Sequence, residues 1–190
     1  IFASATTAAP GATAAELIIL QEAIGERPVW LAASTHRTEE DIAGEVHSAL
    51  ADRLPGLLTL LAPRHPQRGD EVEQSLKRSG LIVARHSRGD KITADTDIYL
   101  VDATGLLGQL YRVSPLAFVG GSLIPHGGQN MLEAAQLGCA VLHGPHVDNF
   151  QSITSDLGAA GASREVANRE ELTLAVAELL GNREKLETMN

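Results

Sequence analysis

Aromatic residues and cysteine are scarce in this sequence of 190 residues, with aromatics at 3% and a single cysteine, Cys139. One cysteine excludes an internal disulfide framework, and Leu, Ile, Val and Ala must fill most of any core. Basic residues are also in the minority, which gives a formal net charge of -9. Because a general nucleic-acid binder carries a basic face, we expect no nucleic-acid partner, although local donors can still hold one anionic ligand. No apolar run reaches the length of a membrane span.

Several common catalytic and nucleotide-binding motifs are missing too. The segment PVWLAAS leads into STHRTEED instead of a Gly-x-Gly-x-x-Gly turn, and no Gly-x-x-x-x-Gly-Lys-Ser/Thr sequence occurs. No Gly-x-Ser-x-Gly elbow is present, which argues against a serine hydrolase. Cys139 lies between a predicted helix end and a predicted strand, where a buried thiol is a poor nucleophile.

Apolar runs alternate with helical patterns along most of the chain. Six runs predict strands, namely PVWLAAS, LLTLLAP, LIVARHS, DIYLVDA, LAFVGGS and AVLHGP. Continuous apolar strands interleaved with helices are typical of a parallel sheet that is covered on both faces. We therefore predict an α/β fold with a doubly wound, mostly parallel sheet of about six strands and helices on both faces.

The two ends of the chain differ from its middle. Residues 1–15 are rich in Ala, Thr, Gly and Pro, which predicts a linker or the start of a fragment. Residues 16–190 are predicted to form a single Rossmann-like domain. The last residues, NREKLETMN, stop inside a charged helical pattern, and we expect the chain to be part of a longer two-domain protein.

Polar, glycine and histidine residues collect after the predicted strands. Ligands of doubly wound sheets bind beyond the carboxyl ends of the strands, so the loops that follow the strands should meet at one edge. The candidate ligand-binding residues in these loops are Ser34, Thr35, Arg64, His65, Gly105, Ser122, His126, Gly127, Gly128, Gln129, Asn130 and Glu133.

The Gly-rich loop before NMLEAAQLG allows two interpretations. Gly127 and Gly128 permit a sharp turn and the close approach of a ligand, and the following helix start offers free N–H groups to an anion. Asn130 and Glu133 have the spacing of a capping box, so Glu133 either caps its own helix or accepts hydrogen bonds from a ribose diol. Arg64 also allows two interpretations. Its guanidinium can bind a phosphate or a carboxylate, or Arg64 can be an ordinary surface residue in a turn.

The loop histidines resemble a metal site only in part. His126, His143 and His146 include a His-x-x-His spacing, but His143 lies in a predicted strand and should face inward. Zinc ligands that are close in sequence usually have fixed helical or turn spacing, with Cys, Asp or Glu nearby. We therefore predict no metal ion, and we expect the loop histidines to donate to an anionic ligand or to order their loops, namely His36, His65, His126 and His146.

Four segments of the chain together resemble one enzyme family. Similarity to the 3-deoxy-D-manno-octulosonic acid (Kdo) transferases of bacterial lipopolysaccharide synthesis extends over WLAASTHRTEEDI, LAPRHPQR, DIYLVDATGLLGQLY and AFVGGSLIPHGGQNMLEAAQLGCAVLHGPHVDNF. The likeness runs from about Pro28 to Phe150, and these long, ordered motifs are far more specific than a Gly-rich loop alone. The family has two Rossmann-like domains of the GT-B type, and the chain resembles the C-terminal one, which holds the donor CMP-Kdo.

The resemblance also implies roles for individual residues. Glu133 matches the acidic residue that receives the ribose hydroxyls, and Arg64 matches an arginine of the donor site. The family often reads His-Gly-Gly-His-Asn-Pro-Leu-Glu where this chain has Gln129 for the second His and Met131 for the Pro, so hydrogen bonding can persist there but a charge cannot. Other loop positions match the surroundings of the nucleotide or its phosphate, namely Ser34, Thr35, Gly105, Gly128 and Asn130.

The resemblance implies a function that extends beyond this chain. The expected reaction transfers Kdo from CMP-Kdo to a lipid A precursor, with inversion and without a metal or cofactor. The catalytic carboxylate, the acceptor site and the contact with the cytoplasmic face of the bacterial inner membrane are expected in the N-terminal domain, so no catalytic residue is predicted here. Two alternatives remain open, another GT-B nucleotide-sugar transferase or epimerase that uses a UDP-sugar, and a non-catalytic nucleotide-binding module.

Overall fold

The computed structural model describes residues 10–190 of the chain. The predicted linker over residues 1–15 therefore lies mostly outside the described part, at residues 1–9. Its remaining residues differ from the prediction, because they begin helix α1 (Pro10–Ile24). The apolar residues of α1 are spread around its axis, so the one-sided periodicity that marks an amphipathic helix is absent from this stretch.

In the described residues, seven strands form one sheet in which every neighbouring pair is parallel. The strands are β1 (Val29–Thr35), β2 (Leu58–Pro63), β3 (Val83–Arg85), β4 (Ile98–Leu100), β5 (Leu116–Val119), β6 (Ala140–His143) and β7 (Ser163–Glu165), in the spatial order β3-β4-β2-β1-β5-β6-β7. All six predicted strands are present, and the doubly wound α/β fold is confirmed. β7 was not predicted, because this edge strand has only three residues, Ser-Arg-Glu, and contains no apolar run.

Helices cover both faces of the sheet. One face packs against α2 (Glu39–Leu50), α3 (Gly69–Arg78), α7 (Arg169–Gly181) and α8 (Arg183–Met189), and the other against α1, α4 (Leu107–Val113), α5 (Leu132–Gln136) and α6 (Gln151–Ala159). Within β1, Trp30 and Ala32 join the first core while Leu31 and Ala33 join the second, and all four are fully buried. A strand buried on both faces reads as one continuous apolar run. Within residues 10–190, no helix is both long enough and apolar enough to cross a membrane.

The direction of winding reverses at β1. Strands β2, β3 and β4 lie on one side of it, and β5, β6 and β7 lie on the other. Because β1 pairs with both β2 and β5, the loops after β1 and β5 lead away in opposite directions and leave a crevice at the carboxyl edge. The candidate ligand-binding residues belong to the loops around this crevice.

Two loops at the carboxyl edge touch so closely that one position requires glycine. Gly144 follows β6, and a Cβ atom on it would lie 2.1 Å from the Ser122 carbonyl oxygen and 2.5 Å from the Leu123 nitrogen. The Gly144 N–H donates to Ser122 Oγ at 2.8 Å, and that hydroxyl donates to the Val119 carbonyl at 2.6 Å. Because the crowding atoms are backbone atoms, an added side chain would have to displace the whole loop.

We predict that Gly144→Ala strongly destabilises the domain. Overpacking of this kind typically costs about 1–3 kcal/mol, and more where backbone must move. A urea titration of the chain measures the free energy of unfolding. Gly158→Ala in α6 is the matched control, because the nearest atom to its added Cβ is Ser163 Oγ at 3.9 Å, and alanine is favoured over glycine inside helices by roughly 0.5–1 kcal/mol. Equal stability of the two variants would contradict the close packing of the loops.

Candidate functional site

β1 ends in a tight turn that places Ser34 at the edge of the sheet. Ser34 has a φ of 53°, in the left-handed region that residues other than glycine rarely adopt, and the register between β1 and β2 shifts at this point. Thr35 is fully buried, and its hydroxyl has no hydrogen-bond partner in the described part of the chain. The Arg64 N–H donates to the Thr35 carbonyl at 2.8 Å, so the turn holds the ends of β1 and β2 together.

A cleft of about 220 Å³ opens beside this turn. The loops after β1, β2 and β4 enclose it, and its lining includes Ser34, Arg64, Thr104, Gly105 and Leu107. The Arg64 side chain is exposed, and no salt bridge within residues 10–190 joins it to a carboxylate. Gly105 has a φ of 82°, which lets the chain turn sharply before α4. The cleft presents a guanidinium and a turn of small residues, and this combination suits an anion.

A buried carboxylate ties the loop after β5 to the loop after β1. Glu39, the first residue of α2, is almost fully buried and accepts four backbone hydrogen bonds. The donors are His36 N at 2.9 Å, Gly121 N at 2.7 Å, and Ser122 N and Leu123 N at 3.1 Å each. One side chain therefore fixes the two walls of the crevice to each other.

The start of α2 differs from the usual capping pattern. Threonine is a common cap residue, but Thr38, which precedes α2, has a φ of 77° and its side chain makes no capping hydrogen bond. The Glu39 carboxylate instead bonds to the His36 N–H just before the helix and to a loop that lies 82 to 84 residues further along the chain.

The glycine pair after β5 packs against the loop after β6. Gly127 and Gly128 have φ values of 96° and 81°. A Cβ atom on Gly127 would lie 2.4 Å from the Asn149 side chain, and one on Gly128 would lie 3.2 Å from the His146 carbonyl oxygen. The Gly128 N–H also donates to the Gly121 carbonyl at 2.7 Å. Turn geometry and chain packing are therefore enough to require both glycines, and the close approach of a ligand to them stays a prediction.

Helix α5 starts later than predicted, and this changes the interpretation of Glu133. Asn130 Oδ1 accepts the Leu132 N–H at 3.0 Å, but no hydrogen bond in the described residues joins the Glu133 carboxylate to the Asn130 backbone. The capping box is therefore not formed. Glu133 is exposed, and its Oε1 lies 3.1 Å from the position of a Cβ on Gly108. The carboxylate thus reaches across the first turn of α4, next to Leu107 of the cleft, which favours a ligand role over a capping role.

Three histidines and a glutamine gather over Gly121. The ring centroids of His36 and His126 are 4.0 Å apart, and those of His36 and His65 are 5.5 Å apart. Gln129 Nε2 lies 3.2 Å from His36 Nε2. The absence of a side chain at Gly121 leaves room for this group, because a Cβ there would lie 3.2 to 3.4 Å from His126, His36 and Gln129 atoms. We call these four side chains, His36, His65, His126 and Gln129, the histidine cluster.

His36 is the buried centre of the histidine cluster. Burial is the largest cause that lowers its pKa, to about 4, and the neighbouring His126, His65, Arg64 and Arg68 lower it further. At neutral pH the His36 ring is therefore uncharged. Its Nε2 can then accept the Gln129 amide hydrogen.

His143, one of the three histidines considered as metal ligands, has another partner. His143 is buried, and its Nδ1 lies 2.8 Å from the Gly144 carbonyl oxygen. Among the residues that the structure describes, no group of three or more His, Cys, Asp or Glu side chains is arranged to hold a metal ion. Cys139 is buried as well, and burial raises the pKa of its thiol to about 12, so little thiolate exists at neutral pH.

Comparison with curated proteins points to one enzyme family. The 3-deoxy-D-manno-octulosonic acid transferase of Haemophilus influenzae is 39% identical over 165 residues, and that of Bordetella pertussis is 42% identical over 141 residues. These alignments cover 86% and 72% of this chain, but the chain spans only 39% and 33% of the two relatives. No protein-family model matches the chain.

A solved structure shows which family the chain belongs to. The crystal structure of the C-terminal CMP-Kdo binding domain of WaaA from Acinetobacter baumannii aligns with a TM-score of 0.88 and 32% identity, over 94% of this chain and 94% of that one. This chain belongs to the Kdo transferase family. The part of the family that it matches is the C-terminal domain, so the resemblance predicted from its four segments is confirmed.

The predicted residues of this Kdo transferase domain fall into two groups. Most of them are accessible around the crevice, namely Ser34, Arg64, His65, Gly105, His126, Gln129, Asn130 and Glu133. The others are buried, and the structure uses them for bracing rather than for presentation of a side chain, namely Thr35, Ser122, Gly127 and Gly128. Ser122 shows this most clearly, since its hydroxyl bonds to the Val119 carbonyl and the Gly144 N–H while its own N–H donates to Glu39.

Two carboxylates of the Kdo transferase edge were not predicted from the sequence, whereas His36 was expected to donate to an anion or to order its loop. Glu39 braces the loops. Glu40 is also buried and pairs with Arg68 Nη1 at 2.9 Å, while burial raises the pKa of the Glu40 carboxyl to about 7. In the sequence, Glu39 and Glu40 look like ordinary first-turn acids that favour the positive end of a helix. Nothing local distinguishes a buried carboxylate from an exposed one at these positions.

We predict that Glu39→Gln lowers the free energy of unfolding by about 1.5–3 kcal/mol, the usual contribution of hydrogen bonds to a charged group. Glutamine has only one acceptor oxygen and would turn an amide N–H toward some of the four donors. Urea unfolding measures the loss, and hydrogen exchange of the Gly121, Ser122 and Leu123 amides locates it. Glu45→Gln is the control, because Glu45 is an exposed α2 residue paired with Arg169, and exposed pairs contribute about 0.2–1 kcal/mol. A similar loss in both variants, with unchanged exchange, would refute the bracing role.

Proposed function

We propose that this chain is the donor-binding half of a glycosyltransferase that transfers Kdo from CMP-Kdo to a lipid A precursor. One observation carries the proposal, the alignment with a domain named for CMP-Kdo binding over 94% of both chains. The curated relatives, which are named Kdo transferases, support the reaction class. Because the chain spans 39% and 33% of those relatives, the complete reaction is assigned to a longer protein.

The carboxyl edge offers the groups that the CMP part of the donor requires. Arg64 borders the cleft with Ser34 and Gly105, and its guanidinium can donate two parallel hydrogen bonds to a phosphate. Glu133 lies over the first turn of α4 with an exposed carboxylate, which can accept hydrogen bonds from both ribose hydroxyls. Phosphate and ribose are adjacent parts of CMP. Arg64 lines the cleft from the loop after β2, and Glu133 approaches it from α5.

The contribution of this half to catalysis is positioning and charge stabilisation. When the bond between Kdo and CMP breaks, negative charge develops on the departing phosphate, and a guanidinium already in place stabilises it. A general base must lie within hydrogen-bond reach of the acceptor hydroxyl. We assign that base, the lipid A precursor site and the contact with the cytoplasmic face of the inner membrane to the other domain, and no catalytic residue or cofactor to this chain.

Two other functions are less well supported. A transferase or epimerase that uses a UDP-sugar could share this fold and Glu133, but the curated relatives and the 0.88 structural match are Kdo transferases. A non-catalytic nucleotide-binding module would also have this fold, but the same relatives are named as enzymes. The base of the preferred nucleotide separates the first alternative from our proposal.

We predict that the chain binds CMP in preference to UDP. Isothermal titration of the chain should give a measurable CMP affinity and an affinity for UDP at least 10-fold weaker. The same chain mixed with CMP-Kdo and a lipid A precursor should give no transfer above the background without protein, because the acceptor side is supplied by the other domain. Preference for UDP would refute the donor assignment, and transfer by this chain alone would refute the assignment of catalysis to the other domain.

We predict that Arg64→Ala weakens CMP binding roughly 10- to 100-fold, which corresponds to loss of a charge-assisted contact. Arg64→Lys should recover only part of the affinity, because an ammonium cannot make the paired bonds. Arg53→Ala, at an exposed position after α2, is the control. Full recovery by Lys would show that only a point charge is needed.

We predict that Glu133→Gln also weakens CMP binding. The free energy of unfolding should stay nearly unchanged, since the carboxylate does not cap α5. Unchanged CMP affinity of this variant would remove the ribose role.

A further inference from the structure

The histidine cluster lies beside Arg64 but is not needed for the phosphate or ribose contacts proposed above. His65 follows Arg64 in the chain, and its ring lies 5.5 Å from that of His36. His36 in turn touches Gln129 and His126. The cluster therefore extends from the arginine along the crevice toward the loop after β5, as a second polar surface at the same edge.

The surroundings of His36 are basic or neutral. The side chains that face its ring come from the loop after β2, the turn before α3 and the loop after β5, and they are Arg64, His65, Arg68, His126 and Gln129. Two carboxylates are close, but both are bound to other groups. Glu39 accepts four backbone N–H groups, and Glu40 pairs with Arg68. No nearby carboxylate is thus aimed at the His36 ring among the described residues.

Such an environment is poor for a protonated imidazole and good for an anion. Burial, and then the neighbouring His126, His65, Arg64 and Arg68, hold the pKa of His36 at about 4, so the ring is neutral in the free protein. An anion placed against Nε2 acts in the opposite direction, because an opposite charge within a few ångströms favours the charged form and raises the pKa by about 1–3. An anion that enters the cluster should therefore bring a proton with it at mildly acidic pH.

CMP-Kdo carries two acidic groups on the same carbon atom. Its anomeric carbon bears both the phosphate oxygen and the carboxylate of the sugar acid. Arg64 accounts for the phosphate in the proposed function. The carboxylate is a second anion a few ångströms from the first, and the histidine cluster beside Arg64 places further donors there.

We propose that the histidine cluster is the subsite for the carboxylate of the donor sugar, with His36, His126 and Gln129 as the donors. This inference rests on the proposed function and adds the group that distinguishes a sugar-acid donor from a neutral sugar nucleotide. His36 takes up a proton at Nε2 as the carboxylate arrives, and the Gln129 amide, released from Nε2, donates to the same carboxylate. Binding of CMP-Kdo is then linked to proton uptake by His36, and this part of the uptake is lost in a chain without that ring.

Calorimetric titration with CMP-Kdo at pH 5.5 in two buffers of different ionisation enthalpy counts the protons. The unchanged chain should take up roughly half a proton more than His36→Asn, because a nearby opposite charge raises a pKa by about 1–3 and so moves that of His36 from about 4 into this range. His36→Asn should also weaken CMP-Kdo at least 10-fold, while the affinity for CMP changes less than threefold. Thermal unfolding of the variant shows that it is folded.

A second variant and a control keep the test independent of His36 itself. Gln129→Glu places a fixed carboxylate next to the His36 ring, and it should compete with the carboxylate of the sugar. It should weaken CMP-Kdo at least fivefold more than it weakens CMP. His86→Asn is the control, because His86 lies outside the cluster with its Nδ1 at 2.8 Å from the Tyr99 hydroxyl. It should leave both affinities and the proton count unchanged.

The outcomes separate this inference from the proposed function. If CMP binds but the unchanged chain and His36→Asn take up equal numbers of protons with CMP-Kdo, the carboxylate subsite is wrong and the donor-binding role stands. The subsite is equally wrong if His36→Asn and Gln129→Glu weaken CMP and CMP-Kdo by the same factor, since the cluster then holds a group common to both. If the unchanged chain binds neither ligand, the proposed function fails and this inference fails with it.

Discussion

The carboxylate of Glu39 holds the binding edge in shape. It accepts backbone N–H groups from the loop after β1 and from the loop after β5, across the point where the winding of the sheet reverses. A buried charge is tolerated when hydrogen bonds replace its hydration, and here four donors do so. The same bonds satisfy three consecutive loop amides that would otherwise be left without partners at a strand end. The path of this loop then places Ser122 against Gly144 and opens the space over Gly121 for the histidine cluster.

The sequence predicted those parts of the structure that depend on local pattern. Six strands, the interleaved helices and the meeting of their loops at one edge follow from apolar runs and from the geometry of parallel sheets. The misses have physical causes. β7 has no apolar run, α1 has no one-sided periodicity, and three of the four donors to Glu39 lie more than 80 residues away. Ser122 was selected because polar residues at strand ends often bind ligands, but its hydroxyl is consumed by two backbone groups.

Local charge at this edge differs from the charge of the whole chain. The formal net charge is -9, yet the side chains around the crevice include three histidines and Arg64, which has no salt bridge among the described residues. The acids in the same region are sequestered, Glu39 by backbone amides and Glu40 by Arg68. An acidic protein can therefore present a surface that suits an anionic ligand, because the field close to a ligand depends on nearby, uncompensated groups more than on distant exposed ones.

The contact between Gly144 and Ser122 has a consequence for motion. Together with the Gly127 and Gly128 contacts to the loop after β6, it interlocks two loops through backbone atoms that have no free space between them. Loops packed in this way cannot fold over a bound nucleotide as a separate flap. If a longer protein closes around its substrates, the whole edge must travel as one rigid body, with the rotation taken up at a hinge away from these loops.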